Sequence, residues 1–412
     1  MIFFPNVVLT DEQEKIKNEA VNWFFNSSEQ VYSVAGPAGS GKSLLMAKIL
    51  EELRLKDSEV YAMALTGAAA IVMRTRGFTT ARSIHSALYE VVEEKDQTAV
   101  NMRFGIKAKQ KVFRKRKFID PSIRLFFIDE AYMVPKKMVK DILSFGVKVI
   151  VCGDPNQLPP IDDDPGFLVD PGVHYLTKLM RQAEDSPIVY LSQRAMQGLP
   201  IHSGQYGNEV LVINDDDFIP EMIGFADCIC CGTNRTREAL NGYVRQLAGF
   251  QGPIPWRGER IICRKNNWDI EQDDIALANG LAGTVLNQPS PLGFNGNTFK
   301  IDFKPDLVNT IFFDIDVNYR YFTAPTEIKN EMKDFKSDRY NHIRGEFFDY
   351  AYALTTHLSQ GSEYQNGIYI EEFMNAQSQR QLNYTGITRF KHKLIYVKKQ
   401  CNTFNIPPLP TE

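Results

Sequence analysis

The sequence predicts an α/β protein in which parallel sheets are covered by crossover helices, and three observations support this fold class. Short apolar runs alternate with helical patterns through the first third of the chain. The apolar run VYSVA, residues 31–35, leads directly into GPAGSGKS, residues 36–43. The following segment has apolar residues at four-residue spacing, beginning with Leu45 and Ile49, as in a helix that packs one face on a sheet. A similar alternation starts again near Asp227, so the chain is predicted to contain two such domains.

Composition limits the class of protein. The 412 residues are 43% hydrophobic, which is enough for two or three domains with sizeable cores. No apolar run approaches the roughly 20 residues of a membrane span, and the amino terminus has no secretory-signal pattern. Cys228, Cys230 and Cys231 have no second ligand group at metal-binding spacing, so we interpret them as apolar residues of a buried strand. We expect a cytoplasmic protein without membrane association.

GPAGSGKS is typical of a phosphate-binding loop between a strand and a helix. Its glycines allow successive backbone N–H groups to point at phosphate oxygens. Lys42 is expected to reach the β and γ phosphates, and Ser43 to coordinate Mg²⁺. A chance glycine-rich turn is the alternative, and the complete pattern in this context disfavours it. The predicted nucleotide-binding residues of the loop are Gly36, Pro37, Ala38, Gly39, Ser40, Gly41, Lys42 and Ser43.

Two later strand ends carry candidate catalytic side chains. LFFIDEA ends an apolar run with Asp129 and Glu130, which suit a magnesium ligand and a base that orients the attacking water. Alone, this pair could equally form a solvated turn or a helix cap, and the phosphate loop makes the catalytic roles the favoured ones. GDPNQLPP, residues 153–160, places Gln157 where it could sense the γ phosphate. An ordinary proline-rich turn is the alternative there.

Two stretches interrupt the alternating pattern and predict insertions. RFGIKAKQKVFRKRK, residues 103–117, has eight basic residues among its fifteen and no acidic one. Phe104, Phe113 and Phe118 are interleaved with these charges, as suits separation of a nucleic-acid duplex, and a solvated charged face is the alternative. Residues 287–344 begin with a glycine-, proline- and asparagine-rich stretch and continue with β-like runs, which indicates a small β insertion.

The order of these motifs resembles that of superfamily 1 helicases over most of the chain, in particular the RecD-like and Dda-like (superfamily 1B) branch of phage and bacterial DNA helicases. The resemblance implies an ATP-dependent DNA helicase that uses ATP and Mg²⁺ and moves 5′ to 3′ on single-stranded DNA in replication, recombination or repair. It implies a monomer that binds single-stranded and forked duplex DNA, with a single-strand binding protein or replisome component as a further candidate partner. It also favours a phage-encoded protein. An ATP-gated nucleic-acid clamp that does not unwind is the alternative function.

The resemblance also implies further residues at the nucleotide. Gln13 in LTDEQEKI would contact adenine, although Thr10 and Gln13 can also form a helix capping box. Arg181 in LTKLMRQ and Arg389 in LNYTGITRF would both reach the γ phosphate, where they would stabilise charge that develops during phosphoryl transfer. Gly361 in ALTTHLSQGSEY would border the same nucleotide.

Contacts to DNA are implied for a separate group of residues. A lone histidine is more often structural, so the two histidines of the group depend on the resemblance alone. Leu358 stands where many relatives have a lysine, which puts one contact in doubt. The implied DNA-binding residues are Thr66, His85, Thr356 and His357, together with Phe104 at the tip of a strand-separating pin.

The resemblance translates the two predicted α/β regions and their insertions into four domains. The first RecA-like domain (1A) is expected over residues 1–85 and 121–183, the pin insertion (1B) over 86–120, the second RecA-like domain (2A) over 184–286 and 345–412, and an SH3-like β insertion (2B) over 287–344.

Overall fold

The computed structural model of the chain describes most of its length. The described residues are 7–100, 107–161, 163–169, 171–179, 185–273, 275–289, 298–323, 345–399, 404 and 406–409, and for residues 91, 93–100 and 107–113 the description covers the backbone alone. The chain divides into two compact units. The first unit comprises Met1–Ser83, Phe118–Ala248 and Tyr352–Glu412, and the second comprises Ile84–Lys117 and Gly249–Ala351.

The first unit contains two six-stranded sheets, and one of them carries the amino-terminal motifs. Its strands are β1 (Val31–Ala35), β2 (Val60–Ala64), β3 (Arg82–Ser83), β6 (Leu125–Ile128), β7 (Lys148–Gly153) and β8 (His174–Tyr175). They are all parallel and lie in the order β3-β2-β6-β7-β1-β8. The four strands that the apolar runs predict in this region are β1, β2, β6 and β7. Because β6, β7 and β1 are neighbours, the segments that follow them meet at one edge of the sheet.

Two helices of this region show how local sequence sets where a helix begins and which face it buries. A capping box between Thr10 and Gln13 starts the first helix. The second helix follows the phosphate-loop motif and buries Leu45 and Ile49 completely in the core beneath the sheet, as the four-residue spacing predicts. The helices are α1 (Asp11–Asn26), α2 (Lys42–Leu53), α3 (Gly67–Thr75) and α5 (Lys136–Leu143).

The second sheet of the first unit is also mainly parallel. Its strands are β9 (Gly204–Tyr206), β10 (Val210–Asn214), β11 (Cys228–Cys231), β19 (Ala353–Thr355), β20 (Tyr364–Ile370) and β21 (Phe390–Lys398). They lie in the order β19-β11-β20-β21-β10-β9, and β9 alone is antiparallel to its neighbour. All four residues of β11 are buried, which confirms the interpretation of its cysteines as strand residues. The accompanying helices are α6 (Pro187–Gln197), α7 (Asn234–Leu247) and α9 (Ala376–Ile387).

The second unit contains a long hairpin. Its strands β4 (Tyr89–Val100) and β5 (Lys107–Lys115) are antiparallel and follow the short helix α4 (Ile84–Leu88). The register places Glu90 opposite Arg114 and Glu93 opposite Lys111. The basic strand that the sequence singles out therefore has an acidic strand beside it, and cross-strand pairs of opposite charge are favourable in such a ladder.

A five-stranded antiparallel sheet forms the rest of the second unit. The strands are β12 (Arg260–Cys263), β15 (Ala282–Val285), β16 (Thr298–Pro305), β17 (Phe312–Asn318) and β18 (Phe348–Tyr350), in the order β17-β16-β15-β12-β18, with a small hairpin β13 (Asn267–Gln272) and β14 (Ile275–Leu277) and the helix α8 (Tyr319–Thr323). Residues 287–344, the predicted β insertion, supply β16 and β17 of this sheet. Alternate residues of β16 are buried, and Phe303 packs edge-on against Phe348.

No helix in the described part of the chain is long and apolar enough to span a bilayer.

Candidate nucleotide-binding site

The segment between β1 and α2 forms a tight loop that only glycine can occupy at several positions. Gly39 and Gly41 have φ angles of 80° and 79°, a region that L side chains rarely adopt. A Cβ on Gly36 would lie 2.7 Å from Ser40 Oγ, so this position also has no room for a side chain. The Lys42 side chain extends back over the loop, and its ammonium donates to the carbonyl oxygen of Gly36 at 2.7 Å. This geometry is that of a phosphate-binding loop.

A polar cavity of about 180 Å³ lies against this loop. One wall comes from the first sheet and the other from the loop after β19 and the end of α9. Ten of the residues predicted to bind or act on a nucleotide line it: Ala38, Gly39, Gly41, Lys42, Ser43, Asp129, Glu130, Gln157, Gly361 and Arg389. The structure therefore brings together motifs from the beginning and the end of the chain.

Two carboxylates follow β6 at the edge of the cavity. The Asp129 carboxylate accepts hydrogen bonds from the backbone N–H of Glu130 at 2.9 Å and from the thiol of Cys152 at 3.0 Å. Burial and the neighbouring Asp129 raise the pKa of Glu130, while Arg389 and Lys42 act in the opposite direction. Two adjacent acids with different surroundings are the arrangement expected of a metal ligand beside a general base.

The donor set of the cavity suits a magnesium ion that is shared with a nucleotide. The Ser43 hydroxyl and the Asp129 carboxylate line the same cavity, and both offer the oxygen ligands that Mg²⁺ prefers. Among the described residues, no group of three histidine, cysteine, aspartate or glutamate side chains is placed to hold a metal. Mg²⁺ bound here would thus take its remaining ligands from phosphate and water, which is usual for this ion.

Gln157 reaches the cavity from the loop after β7. It is 5% exposed, and its Oε1 atom has no hydrogen-bond partner in the described part of the chain. A buried amide oxygen without a partner is costly, so its position at the cavity favours a polar ligand there. The arrangement agrees with the predicted role of Gln157 near the γ phosphate.

Arg389 belongs to the opposite wall and is 4% exposed. Its Nε donates to the carbonyl oxygen of Thr385 at 3.0 Å, and Nη1 donates to that of Ser362 at 3.3 Å. These contacts hold the guanidinium against the cavity.

In the same wall Gly361 has a φ angle of 78°, and a Cβ there would lie 2.8 Å from the Cβ of Ala69. Gly361 therefore permits a close approach between the two walls.

Tyr384 of α9 joins the two walls, and sequence reasoning did not identify it. Its hydroxyl donates to Asp154 Oδ2 at 2.5 Å and accepts from the backbone N–H of Ala38, a residue of the phosphate loop, at 3.0 Å. Burial and Asp154 raise the pKa of Tyr384, so the hydroxyl keeps its proton. The residue lies inside LNYTGITRF, yet nothing local in that segment indicates a partner near residue 38.

Arg76 and Glu363 form a second link that the sequence did not reveal. Arg76 Nη2 lies 2.8 Å from Glu363 Oε2, and Arg76 Nη1 donates to Ser43 Oγ at 3.1 Å. Both residues line the cavity. Arg76 is the residue directly after α3, and a single basic side chain at the end of a helix has no distinctive signal in the sequence.

Gln13 forms the capping box that was the alternative to its adenine contact. It is 1% exposed, and its Oε1 accepts from the backbone N–H of Thr10 at 3.0 Å. Its Nε2 donates to the carbonyl oxygen of Ser40 at 3.1 Å. Gln13 therefore supports the phosphate loop in this structure, and the adenine contact stays a prediction.

The residues predicted to contact DNA are placed differently from one another. Thr66 caps α3 by accepting from the backbone N–H of Ala69 at 3.1 Å. His85 and His357 are half-buried, and burial lowers the pKa of each. Thr356 is fully buried and donates to the carbonyl oxygen of Cys231 at 3.2 Å. The residue has no exposed surface in this structure, and its DNA contact stays a prediction.

Two predicted residues fall outside the described part of the chain. Arg181 lies in residues 180–184, and Phe104 lies in residues 101–106, between the end of β4 and the start of β5. Their roles therefore stay predictions.

The strand, loop and helix around Lys42, with carboxylates at the end of another strand of the same parallel sheet, define a P-loop nucleoside-triphosphate-binding protein. Residues 9–219 match the family model of an AAA domain, and residues 350–397 match that of a UvrD-like helicase C-terminal domain. The first match covers slightly more than half of the chain, so the chain belongs to the AAA domain family.

The chain is also similar to curated proteins over part of their length. An uncharacterized protein of Methanocaldococcus jannaschii is 24% identical over 97% of this chain and 39% of its own length. The ATP-dependent DNA helicase Pif1 of Bdellovibrio bacteriovorus is 33% identical over 33% of this chain and 30% of its own. The chain thus spans less than half the length of these curated relatives.

The structure of the Bacteroides Pif1 helicase in complex with ADP-AlF3 and single-stranded DNA superposes with a TM-score of 0.55 and 17% identity, covering 98% of this chain and 95% of that one. This likeness shows the fold: the two parallel sheets are those of RecA-like domains. The expected α/β fold is confirmed, while the pin and SH3-like identities of the insertions stay predictions.

Proposed function

We propose that this chain is an ATP-dependent DNA helicase of the Pif1-like type, which couples ATP hydrolysis to movement on single-stranded DNA. The observation that carries the proposal is the shared cavity, in which Lys42 and Asp129 of one RecA-like domain face Gly361 and Arg389 of the other. The named Pif1 relatives support the helicase activity. A P-loop phosphotransferase is a further alternative, and the second α/β region with its own Arg389 argues against it.

Six residues of the cavity have a role in the proposed hydrolysis. Lys42 and the N–H groups of the phosphate loop bind the β and γ phosphates. Ser43 and Asp129 would hold Mg²⁺, which neutralises phosphate charge when bound. Glu130 orients the attacking water and receives its proton, and Gln157 contacts the γ phosphate. Arg389, joined by the predicted Arg181, stabilises the charge that develops during transfer.

Hydrolysis would move the two RecA-like domains relative to each other. A γ phosphate that contacts both Lys42 and Arg389 favours the closed cavity, and its loss removes that attraction. Segments that bear the predicted DNA contacts, Thr66, His85 and His357, lie on the chain beside the cavity motifs. Closing and opening would therefore shift DNA contacts in steps.

The finer parts of the proposal depend on the RecD-like and Dda-like resemblance. They are 5′ to 3′ polarity, action as a monomer on forked duplex DNA in replication, recombination or repair, and cooperation with a single-strand binding protein or replisome component. A cytoplasmic location and a phage origin are further predictions from the sequence.

An unwinding assay tests the proposal. Forked, 5′-tailed and 3′-tailed duplexes are compared in the presence of ATP and Mg²⁺, with ATP hydrolysis measured with and without single-stranded DNA. We expect DNA-stimulated hydrolysis and separation of the forked and 5′-tailed duplexes. Separation from a 3′ tail alone would contradict the polarity. Stimulated hydrolysis with no separation of any duplex would favour the nucleic-acid clamp, and absence of hydrolysis would refute the enzyme itself.

The strand-separating role of the hairpin has its own test. Phe104→Ala should slow unwinding several-fold and leave DNA-stimulated hydrolysis unchanged, because stacking against the terminal base pair is lost while the cavity is intact. Phe25→Ala is the matched control, since Phe25 is a phenylalanine of α1 that is 58% exposed. Equal loss of unwinding and hydrolysis in Phe104→Ala would show that Phe104 is structural.

A further inference from the structure

Arg76 contacts both walls of the nucleotide cavity at once. One terminal nitrogen donates to Ser43 Oγ at 3.1 Å, and the other lies 2.8 Å from Glu363 Oε2. The same Glu363 oxygen lies 2.7 Å from Lys391 Nζ. Because the two contacts of Arg76 use different nitrogens, the guanidinium can hold Ser43 and Glu363 simultaneously.

The charges around Arg76 keep it ionised and attracted to the cavity. Burial opposes its charged form, but Glu363 and Asp129 outweigh this effect and raise the pKa of Arg76. Burial likewise opposes ionisation of Glu363, while Arg76 and Lys391 lower the pKa of Glu363 to about 2. The pair thus remains fully charged across the physiological pH range, so protonation does not control it.

Ser43 gives this pair a connection to the nucleotide. A serine hydroxyl can accept two bonds, so geometry alone would allow Arg76 and a metal ion to share the oxygen. Electrostatics disfavours this, because a divalent cation and a guanidinium separated by one shared oxygen repel each other strongly. Binding of a metal at Ser43 and the contact of Arg76 with Ser43 must therefore weaken each other.

Glu363 determines where Arg76 goes when that contact weakens. Its carboxylate belongs to the loop after β19, in the second RecA-like domain, and already lies within ion-pair distance of Arg76. A displaced guanidinium can keep this partner without leaving the cavity. The ion pair with Glu363, which joins the two domains, then becomes the main contact of Arg76 in place of its hydrogen bond to Ser43.

We propose that Arg76 is a positioning residue that competes with Mg²⁺ for the Ser43 hydroxyl and, once displaced, is held by Glu363, so that the metal state of the phosphate loop is passed to the second domain. The inference rests on the proposed function, because it takes metal-bound nucleotide to occupy the cavity at Ser43.

Magnesium dependence of nucleotide binding tests the proposal. Binding of a fluorescent, non-hydrolysable ATP analogue to the full chain is measured while Mg²⁺ is titrated, and the Mg²⁺ concentration at half-maximal binding is compared among variants. Arg76→Met removes the competing charge and keeps the length of the side chain, so it should lower this midpoint by roughly tenfold, as for loss of a charged hydrogen bond. Glu363→Gln should raise the midpoint, because Arg76 then remains on Ser43. The double variant should behave like Arg76→Met.

Lys391→Met is the matched control. Lys391 shares Glu363 with Arg76 but is not among the described residues that line the cavity, so its loss should change the midpoint less than about twofold. Thermal melting checks folding of every variant, and Arg76→Lys, which keeps the charge, should stay closer to the wild-type midpoint than Arg76→Met.

The outcomes separate this inference from the proposed function. If the wild-type chain binds the analogue in a Mg²⁺-dependent manner but folded Arg76→Met has an unchanged or higher midpoint, the competition is refuted and the proposed function survives. The same refutation follows if Glu363→Gln lowers the midpoint. Failure of the wild-type chain to bind the analogue would overturn both.

Discussion

The two parallel sheets of the first unit have the same number of strands and contribute to the same cavity in different ways. The first sheet supplies its chemistry from segments that follow two of its parallel strands, which are separated by β7: Lys42 comes after β1 and Asp129 after β6. The second sheet supplies Gly361 from a loop and Arg389 from the end of a helix. Under the proposed function, the first sheet holds the phosphates of the nucleotide, and the second sheet contacts the nucleotide that the first sheet holds.

The physical restraints on the two walls also differ. Left-handed glycines and local hydrogen bonds shape the phosphate loop, so its geometry depends on neighbouring residues. Arg389 and Tyr384 are placed by burial and by bonds to distant parts of the chain. We call the side of the cavity that the first sheet supplies the first wall, and the side that the second sheet supplies the second wall. The comparison predicts that changes in the first wall abolish binding of phosphate. Changes in the second wall should impair catalysis or the contact between the two walls.

The largest effect is expected from the first wall. Lys42→Ala should reduce ATP turnover on the order of a thousandfold, because the positive charge at the β and γ phosphates is lost, while DNA binding without nucleotide survives. Lys48→Ala is the control, since Lys48 lies on the same helix and pairs with Glu51 at its surface. Steady-state hydrolysis and DNA binding by fluorescence anisotropy measure the two properties. Near wild-type turnover in Lys42→Ala would break the distinction between the walls.

A smaller loss of turnover is expected from Arg389, the residue of the second wall that we propose to act in catalysis. Arg389→Ala should lower kcat on the order of a hundredfold with a lesser effect on nucleotide affinity, because Arg389 acts on charge that develops in the transition state. Arg380→Ala is the control and should leave kcat unchanged, since Arg380 is an exposed residue of α9, the helix that ends just before Arg389. Stopped-flow binding and steady-state kinetics separate the two parameters. Retention of wild-type kcat would contradict the assignment of Arg389.

Tyr384 tests the contact between the two walls. Tyr384→Phe removes the hydroxyl that joins Asp154 to Ala38, so it should destabilise the fold by about 1–3 kcal/mol and weaken nucleotide binding several-fold. Tyr32→Phe is the matched control. Tyr32 is buried and donates to the carbonyl oxygen of Ile16 at 3.2 Å within the first domain. Tyr32→Phe should lower the stability of the fold and leave nucleotide affinity unchanged. An equal change of nucleotide affinity in both variants would count against the role of Tyr384.

The smallest effect concerns the close approach at Gly361. Gly361→Ala and Gly146→Ala both put a side chain at a left-handed φ, which costs about 1–2 kcal/mol. The added Cβ meets Ala69 at Gly361, whereas at Gly146 nothing lies within 4 Å. Both variants should unfold at lower denaturant concentration, but Gly361→Ala alone should also weaken nucleotide binding. Equal affinities would mean that the approach of the walls is unimportant.

Local patterns explain how much of this molecule could be predicted. The phosphate loop, the strand that ends at Asp129 and the buried face with Leu45 all depend on residues within a few positions of one another. The same is true of the four strands found around the amino-terminal motifs. Arg389 and Gly361 were identified through resemblance, because nothing in their own segments specifies a phosphate.

Other features depend on residues far apart in the chain. Tyr384 and Ala38 are separated by 346 positions, and no periodicity connects them. The basic strand β5 was judged by its own charges, whereas its register places Glu90 and Glu93 opposite basic residues. The complete burial of Thr356 likewise follows from the fold, and nothing in its own segment indicates it. The five-stranded sheet joins strands from both sides of residues 287–344, an arrangement that strand patterns alone do not specify.

The sequence by itself determined that the chain is an α/β protein with a phosphate-binding loop, because backbone conformation in the loop and helix and strand periodicity are local properties. The tertiary structure decided which residues face that loop. It placed Arg389 and Tyr384 on the opposite wall and gave Arg76 two partners from separate segments. Their chemistry depends on burial and on the distance to other charges, and both quantities exist only once the chain has folded.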